Sequence, residues 1–172
     1  MVPSRRCRLS ANLKSMNPAP SRNPRKFLVV VDKTPESAVA LRFATRRAQH
    51  TNGRVTLLCA ASPGDYQQWR AVQEIMRDEA HAEAEALLHQ AAKSVNELAG
   101  ILPELVISHG RATDCLQQLL KDDKDISILV LASGTAKEGP GPLVTMFGSA
   151  VQSIPVTIVP GNFTDAQIDA LA

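Results

Sequence analysis

Aromatic residues are scarce in this chain: one Trp, one Tyr and four Phe, 3% of 172 residues, while hydrophobic residues in total reach 44%. The core must therefore be built from Val, Leu, Ile and Ala, which favours an α/β or all-α protein. Cysteine is scarce too. Cys7, Cys59 and Cys115 have no metal-ligand spacing and leave an odd thiol in any pairing scheme, so they read as reduced, intracellular residues. No run approaches the roughly 18 apolar residues of a membrane span, and the N-terminus lacks the apolar stretch of a secretory signal. These absences point to a cytoplasmic protein without membrane contact.

Acid is missing from the first 26 residues, which hold seven of the 19 basic ones (Arg5, Arg6, Arg8, Lys14, Arg22, Arg25 and Lys26). The remainder sets twelve basic against seventeen acidic residues, about −5. A body of that sign excludes nucleic acid as its partner, since no basic face remains to displace counterions from a phosphate backbone. Residues 1–25, with Pro18, Pro20 and Pro24, are expected to be a disordered basic extension, artefactual if Met16 is the true start. An Arg- and Ser-containing, acid-free start is also the pattern of an organelle transit peptide.

From Lys26 the pattern is regular. "KFLVVVD" reads as a buried strand, Phe27 to Val31, ending at Asp32. "KTPESAVALRFATRRAQHTNG" follows as a helix, with Thr34 as cap, Pro35 at its first position, Ala40, Leu41, Ala44 and Ala48 inward, and Gly53 closing it. "RVTLLCAA" is a second strand. From Gln67 to Ala99 the positions Trp69, Val72, Met76, Ala80, Ala84, Leu87, Ala91, Val95 and Leu98 recur at the helical period, giving one long helix or two with a bend. "ELVISHG" is a third strand, "ATDCLQQLLKD" a helix with Leu116, Leu119 and Leu120 inward, "ISILVLAS" a fourth strand and "PVTIVP" a fifth. "FTDAQIDALA", with Thr164 and Gln167 spaced as a capping box, is a short C-terminal helix within residues 162–172. Strands alternating with helices imply a parallel, doubly wound α/β sandwich that binds ligands beyond the carboxyl ends of its strands.

The segments "FLVVVDKTPES", "NGRVTLLCA", "GRATD", "DISILVLASGT" and "IPVTIVPG" resemble, in this order and spacing, the universal stress protein family, over about residues 26–161. The resemblance implies a five-stranded parallel sheet of order 3-2-1-4-5 with helices on both faces, a Rossmann-like fold, placing Asp32 beside the loop that starts at Gly134. It implies a homodimer joined through the fifth strand, Val156 to Val159, in which Thr157→Pro is expected to remove a ladder donor and weaken the dimer. Some members bind ATP, with the first-strand Asp at the adenine end and a G-x-x-G-x9-G-[ST] motif for ribose and phosphates. Others lack the motif and bind no nucleotide.

Gly134 matches the first glycine of that motif, but Lys137 and Phe147 stand where the second and third should fall. Helix length agrees with this failure of register. A helix opening at Gly148 would leave Ser149 to Ile154 for a crossover that needs about a dozen residues. One opening near Pro142 instead places Leu143, Met146, Phe147, Ala150 and Val151 on one stripe, with Gly148-Ser149 inside it.

The loop from Gly134 to Gly141 can still offer amides to an anion, so its candidate binding residues are Asp32, Gly134, Thr135, Lys137, Gly139 and Gly141. Against it, Pro140 and Pro142 donate no N–H. "GTAKEG" is not a P-loop, because Pro-Gly follows where Lys-Ser/Thr is needed.

Asp32 serves a ligand or caps the following turn, and Lys33 reads as a solvated charge. His81, Glu85 and His89 share a helix face, but a wet acidic one without a further metal ligand. A phosphoacceptor receiver domain is excluded by Ser108 and His109 at the end of the third strand. Two functions of different class follow. One is a stress-response or interaction module with a degenerate nucleotide loop, no catalysis and protein partners yet to be named. The other is an ATP-binding protein using Asp32 and the Gly134–Gly141 loop, with slow hydrolysis or autophosphorylation.

Overall fold

The apolar run Lys26–Val30 forms β1, and all five residues are buried, as expected of a strand covered on both faces. The computed structural model describes residues 24–62, 70–134, 139–149 and 153–172, the first four of the second segment as backbone only. Along them run α1 (Pro35–Thr51), β2 (Arg54–Ala61), α2 (Arg70–Ala99), β3 (Glu104–His109), α3 (Ala112–Asp122), β4 (Ile126–Ser133), α4 (Pro142–Ser149), β5 (Val156–Pro160) and α5 (Asp165–Leu171). Every pairing is parallel and the order is β3-β2-β1-β4-β5, the doubly wound sheet the sequence pattern implies.

Helices α1 and α2 cover one face over Val29, Leu57 and Val130, with α5 against α1. Helices α3 and α4 cover the other over Leu28, Leu58 and Leu129. Strand order therefore reverses between β1 and β4, whose connections leave toward opposite faces and open a crevice at their carboxyl ends.

Several local details differ from the sequence pattern. Helix α1 ends on Asn52, which takes the left-handed conformation at φ 51° expected of a C-terminal cap. Gly53 is needed for space instead, because a Cβ there would lie 2.6 Å from the Arg25 carbonyl oxygen. Helix α2 is one continuous helix, and Leu88 rather than Leu87 is its fully buried leucine. Trp69 lies outside the described residues.

Helix α4 opens at Pro142 and buries Phe147, with Gly148 and Ser149 helical; Ala150 and Val151 lie outside the described residues. A Cβ on Gly148 would make ordinary contact with Ile158 Cδ1 at 3.4 Å, so packing among the described residues does not demand glycine there.

Two charge clusters fasten the elements. At the amino ends of the strands the buried Lys26 ammonium pairs with Glu104 at 2.6 Å and with Asp123. Burial opposes its charge, but hydrogen bonds to Asp123 and Glu104 outweigh that and raise its pKa. On the other side of the sheet, Arg42 holds Asp169 of α5 through Nε at 3.0 Å and Nη2 at 2.6 Å, and Arg46 adds Nε at 3.1 Å. The Arg42 hydrogen bonds, helped by Arg46, hold the Asp169 carboxyl down to about 2. The Thr164–Gln167 capping box starts this helix, and Ile168 buries it against the body.

Candidate functional site

The first strand leaves the sheet at its carboxyl end, where Val31 N–H still donates to the Leu58 carbonyl at 2.7 Å. Asp32 turns the chain. Its Oδ1 accepts the Thr34 N–H at 2.8 Å and the Thr34 hydroxyl, and its own N–H donates to Ser37 Oγ at 3.2 Å. This is an Asx turn, so the capping role weighed for Asp32 is real. It also explains why Thr34, although the N-cap residue of α1, makes no side-chain cap bond to that helix.

Asp32 simultaneously lines two adjoining cavities. One, of about 340 Å³, lies at the switch point between Asp32, Thr34, Glu36, Ala112, Gly134, Gly139, Gly141 and the first turn of α4. The other, of about 180 Å³, lies between the ends of β1 and β2 and the flank of α2, walled by Val31, Lys33, Cys59, Ala61, Glu83, Ala84 and Leu87. Ala112 joins Asp32 in lining both.

The glycine loop is shaped by close approach and by left-handed backbone. A Cβ on Gly134 would lie 2.3 Å from the Gly139 carbonyl oxygen, so the loop folds back over its own stem and only glycine fits. Gly139 and Gly141 sit at φ 77° and 82°, which side chains other than glycine adopt at a cost. Gly141 then accepts from the Thr145 N–H at 3.0 Å and from its hydroxyl at 2.8 Å, leaving the Leu143 and Val144 amides of the first turn without intrahelical acceptors. Among the described residues Pro140 and Pro142 lack an N–H, and the Leu143 and Val144 amides at the start of α4 are free to meet an anion.

Of the sequence-predicted residues, the structure thus brings Asp32, Gly134, Gly139 and Gly141 to one cavity; Thr135 and Lys137 lie outside the described residues. Lys33 is solvated, as the sequence suggests, and its exposed ammonium also pairs with Glu83 of α2. Glu36, Cys59 and Glu83 were missed as cavity residues. A usable signal existed for Cys59, which lies two residues before the carboxyl end of a strand adjoining the switch point. Burial pushes its thiol pKa up, and the carboxylates of Asp32 and Glu83 push it further.

The helix face of His81, Glu85 and His89 does not converge. His89 pairs with Glu85 at 3.6 Å, while His81 stacks on His109 of β3 with ring centroids 5.3 Å apart. Among the described residues no three His, Cys, Asp or Glu side chains are grouped to hold a metal ion, and no helix is long and apolar enough to cross a membrane.

No curated protein matches the chain by sequence. Solved structures share its fold. The universal stress protein UspA from Lactobacillus plantarum superposes with a TM-score of 0.66 at 22% identity, over 78% of this chain and 97% of that one. A universal stress protein in complex with cAMP gives 0.60 at 21% identity, over 81% and 99%. A universal stress protein family protein from Arabidopsis thaliana with AMP bound gives 0.54 at 16% identity, over 80% and 92%. The model of the universal stress protein family itself matches residues 23–159. With that match spanning most of the sheet and the switch-point crevice, the chain belongs to the universal stress protein family.

Proposed function

We propose that this chain is a cytoplasmic, dimeric stress-response module that binds a small adenine nucleotide, a monophosphate or cyclic phosphate, without turning it over. One observation carries the reading: two neighbouring cavities share Asp32 and Ala112 in their walls, the wider one beside the glycine loop. The narrower cavity has apolar walls in Ala61, Ala84 and Leu87 suited to a flat base. The wider one ends at the Gly134–Gly141 loop and the start of α4. Among the described residues Pro140 and Pro142 offer that end no N–H, and Asp32 Oδ1 is already committed to a local turn rather than placed as a base. The structures solved with cAMP and with AMP support a ligand of this size.

The test is calorimetric titration of AMP, cAMP and Mg²⁺-ATP into nucleotide-free protein, alongside Asp32→Ala. The expected result is binding of AMP or cAMP about tenfold or more tighter than ATP, lost in the variant, with no phosphate released. Tighter ATP binding with phosphate release would replace this reading by the ATP-hydrolysing one. Silence with all three would make the glycines structural and turn attention to protein partners.

Dimerisation is proposed through the free edge of β5. The Leu129 N–H donates to the Pro155 carbonyl and the Gly161 N–H to that of Ser133, both at 3.0 Å. Parallel alternation therefore turns residues 155, 157, 159 and 161 toward β4, and Val156, Ile158 and Pro160 outward. The expected edge donor is thus Ile158, not Thr157, whose N–H belongs to the β4 ladder. A two-fold axis at Ile158 lets that residue exchange both its hydrogen bonds with its copy. Val156 would then donate to the Pro160 carbonyl of the second chain, so the missing Pro160 N–H costs little.

A further inference from the structure

The narrower cavity has a rim unlike its walls. Its interior is small and apolar, with Cys59 4% exposed and Ala61, Ala84 and Leu87 around it. Lys33, just past the end of β1, and Glu83, on α2, also line it, yet their side chains are 65% and 56% exposed. Residues that both line a cavity and face solvent stand at its mouth. Their charges meet in an ion pair joining the end of β1 to α2.

We propose that the Lys33–Glu83 ion pair is a latch across the mouth of this cavity, and that its opening controls entry of the base of the bound nucleotide. The nucleotide part rests on the reading above; the latch itself does not. An exposed pair of this kind holds weakly and is screened by salt. It is therefore a rapidly reversible restraint, and higher ionic strength shifts it open.

Two buried thiols make the latch measurable without any nucleotide. Cys59 lies inside the cavity, whereas Cys115, buried at 5%, is on the inner side of α3, against the opposite face of the sheet. The experiment follows labelling of both by a small neutral maleimide in the full chain, with sites resolved by peptide mass spectrometry. Wild type is compared with Lys33→Met, Glu83→Gln and the charge-reversed double variant Lys33→Glu/Glu83→Lys.

Opening the latch should raise the Cys59-to-Cys115 rate ratio about two- to fivefold in both single variants, the range available to an exposed pair. The double variant should restore it. In wild type, 0.5 M salt should act like the single variants, and in Lys33→Met it should add nothing.

Lys33→Met is the decisive arm. It leaves the Asp32 and Glu83 carboxylates uncompensated beside the thiol, so electrostatics alone would slow Cys59. An unchanged or lowered ratio in Lys33→Met would overturn the latch, and so would equal acceleration of both thiols, which signals general loosening. Selective acceleration of Cys59 in a protein to which neither AMP nor cAMP binds would keep the latch and reject the nucleotide reading.

Discussion

Gly134 shows how much one missing side chain determines at this site. A Cβ there would stand 2.3 Å from a carbonyl oxygen of the same loop, so Gly134→Ala must push the loop off its stem. The expected loss is about 1–3 kcal/mol of stability, the usual cost of overpacking, with weakened AMP binding in the same preparation. Gly148→Ala is the contrast. Its Cβ has room beside Ile158, and exchanging a helical Gly for Ala gains up to about 1 kcal/mol. Thermal unfolding of the two variants should move in opposite directions.

Lys26 gives a pH signature. Its raised pKa means that its contribution is complete below the ordinary lysine value and fades as pH rises through the folded one. The Asp123 pKa is lowered: burial opposes its charge, and the Lys26 hydrogen bond outweighs that. Its contribution is complete above the ordinary carboxylate value and is lost as pH falls through the folded one. The triad therefore acts fully between about pH 4 and 10. Lys26→Met should cost about 1–3 kcal/mol near pH 7, less than a fully buried pair because Glu104 is exposed. The deficit should shrink below pH 3, as followed by urea unfolding across pH.

Among the elements, β5 tests the assembly. Ile158→Pro should convert a dimer to a monomer in sedimentation without breaking a hydrogen bond to β4, because that N–H points away from β4. Thr157→Pro should instead lose about 1–3 kcal/mol by leaving the Leu129 carbonyl without its donor. A wild-type monomer at micromolar concentration would contradict the proposed dimer.

The same strand shows what the sequence could and could not tell. "PVTIVP" announces a strand by its β-branched residues, but which alternate residues face the neighbour depends on register, and register comes only from pairing. Helix α4 was legible for a stronger reason. The chain between Gly148 and Pro155 is too short for a crossover, so the helix had to begin at Pro142, where it is found. The Lys33–Glu83 pair was not legible, because it joins two positions whose meeting depends on how α2 crosses the sheet.

For the whole molecule, strand order makes the site. Two α/β halves leave β1 in opposite directions, and the residues ending β1 and β4 meet at the crevice between them. Asp32 and Gly134 were identifiable from their place after apolar runs, while the cavity joining them, with Glu36, Ala112 and Val144 in its walls, is a product of packing. The size of the crevice argues for a compact nucleotide.

The most direct test is an amide NMR titration of the isotopically labelled protein with AMP. The account predicts saturable shifts concentrated at Asp32, Lys33 and Thr34, at Gly134, Gly139 and Gly141, and in the first turn of α4, with the amides of β3 and α5 still. Shifts centred elsewhere, or none at millimolar AMP and cAMP, would contradict it.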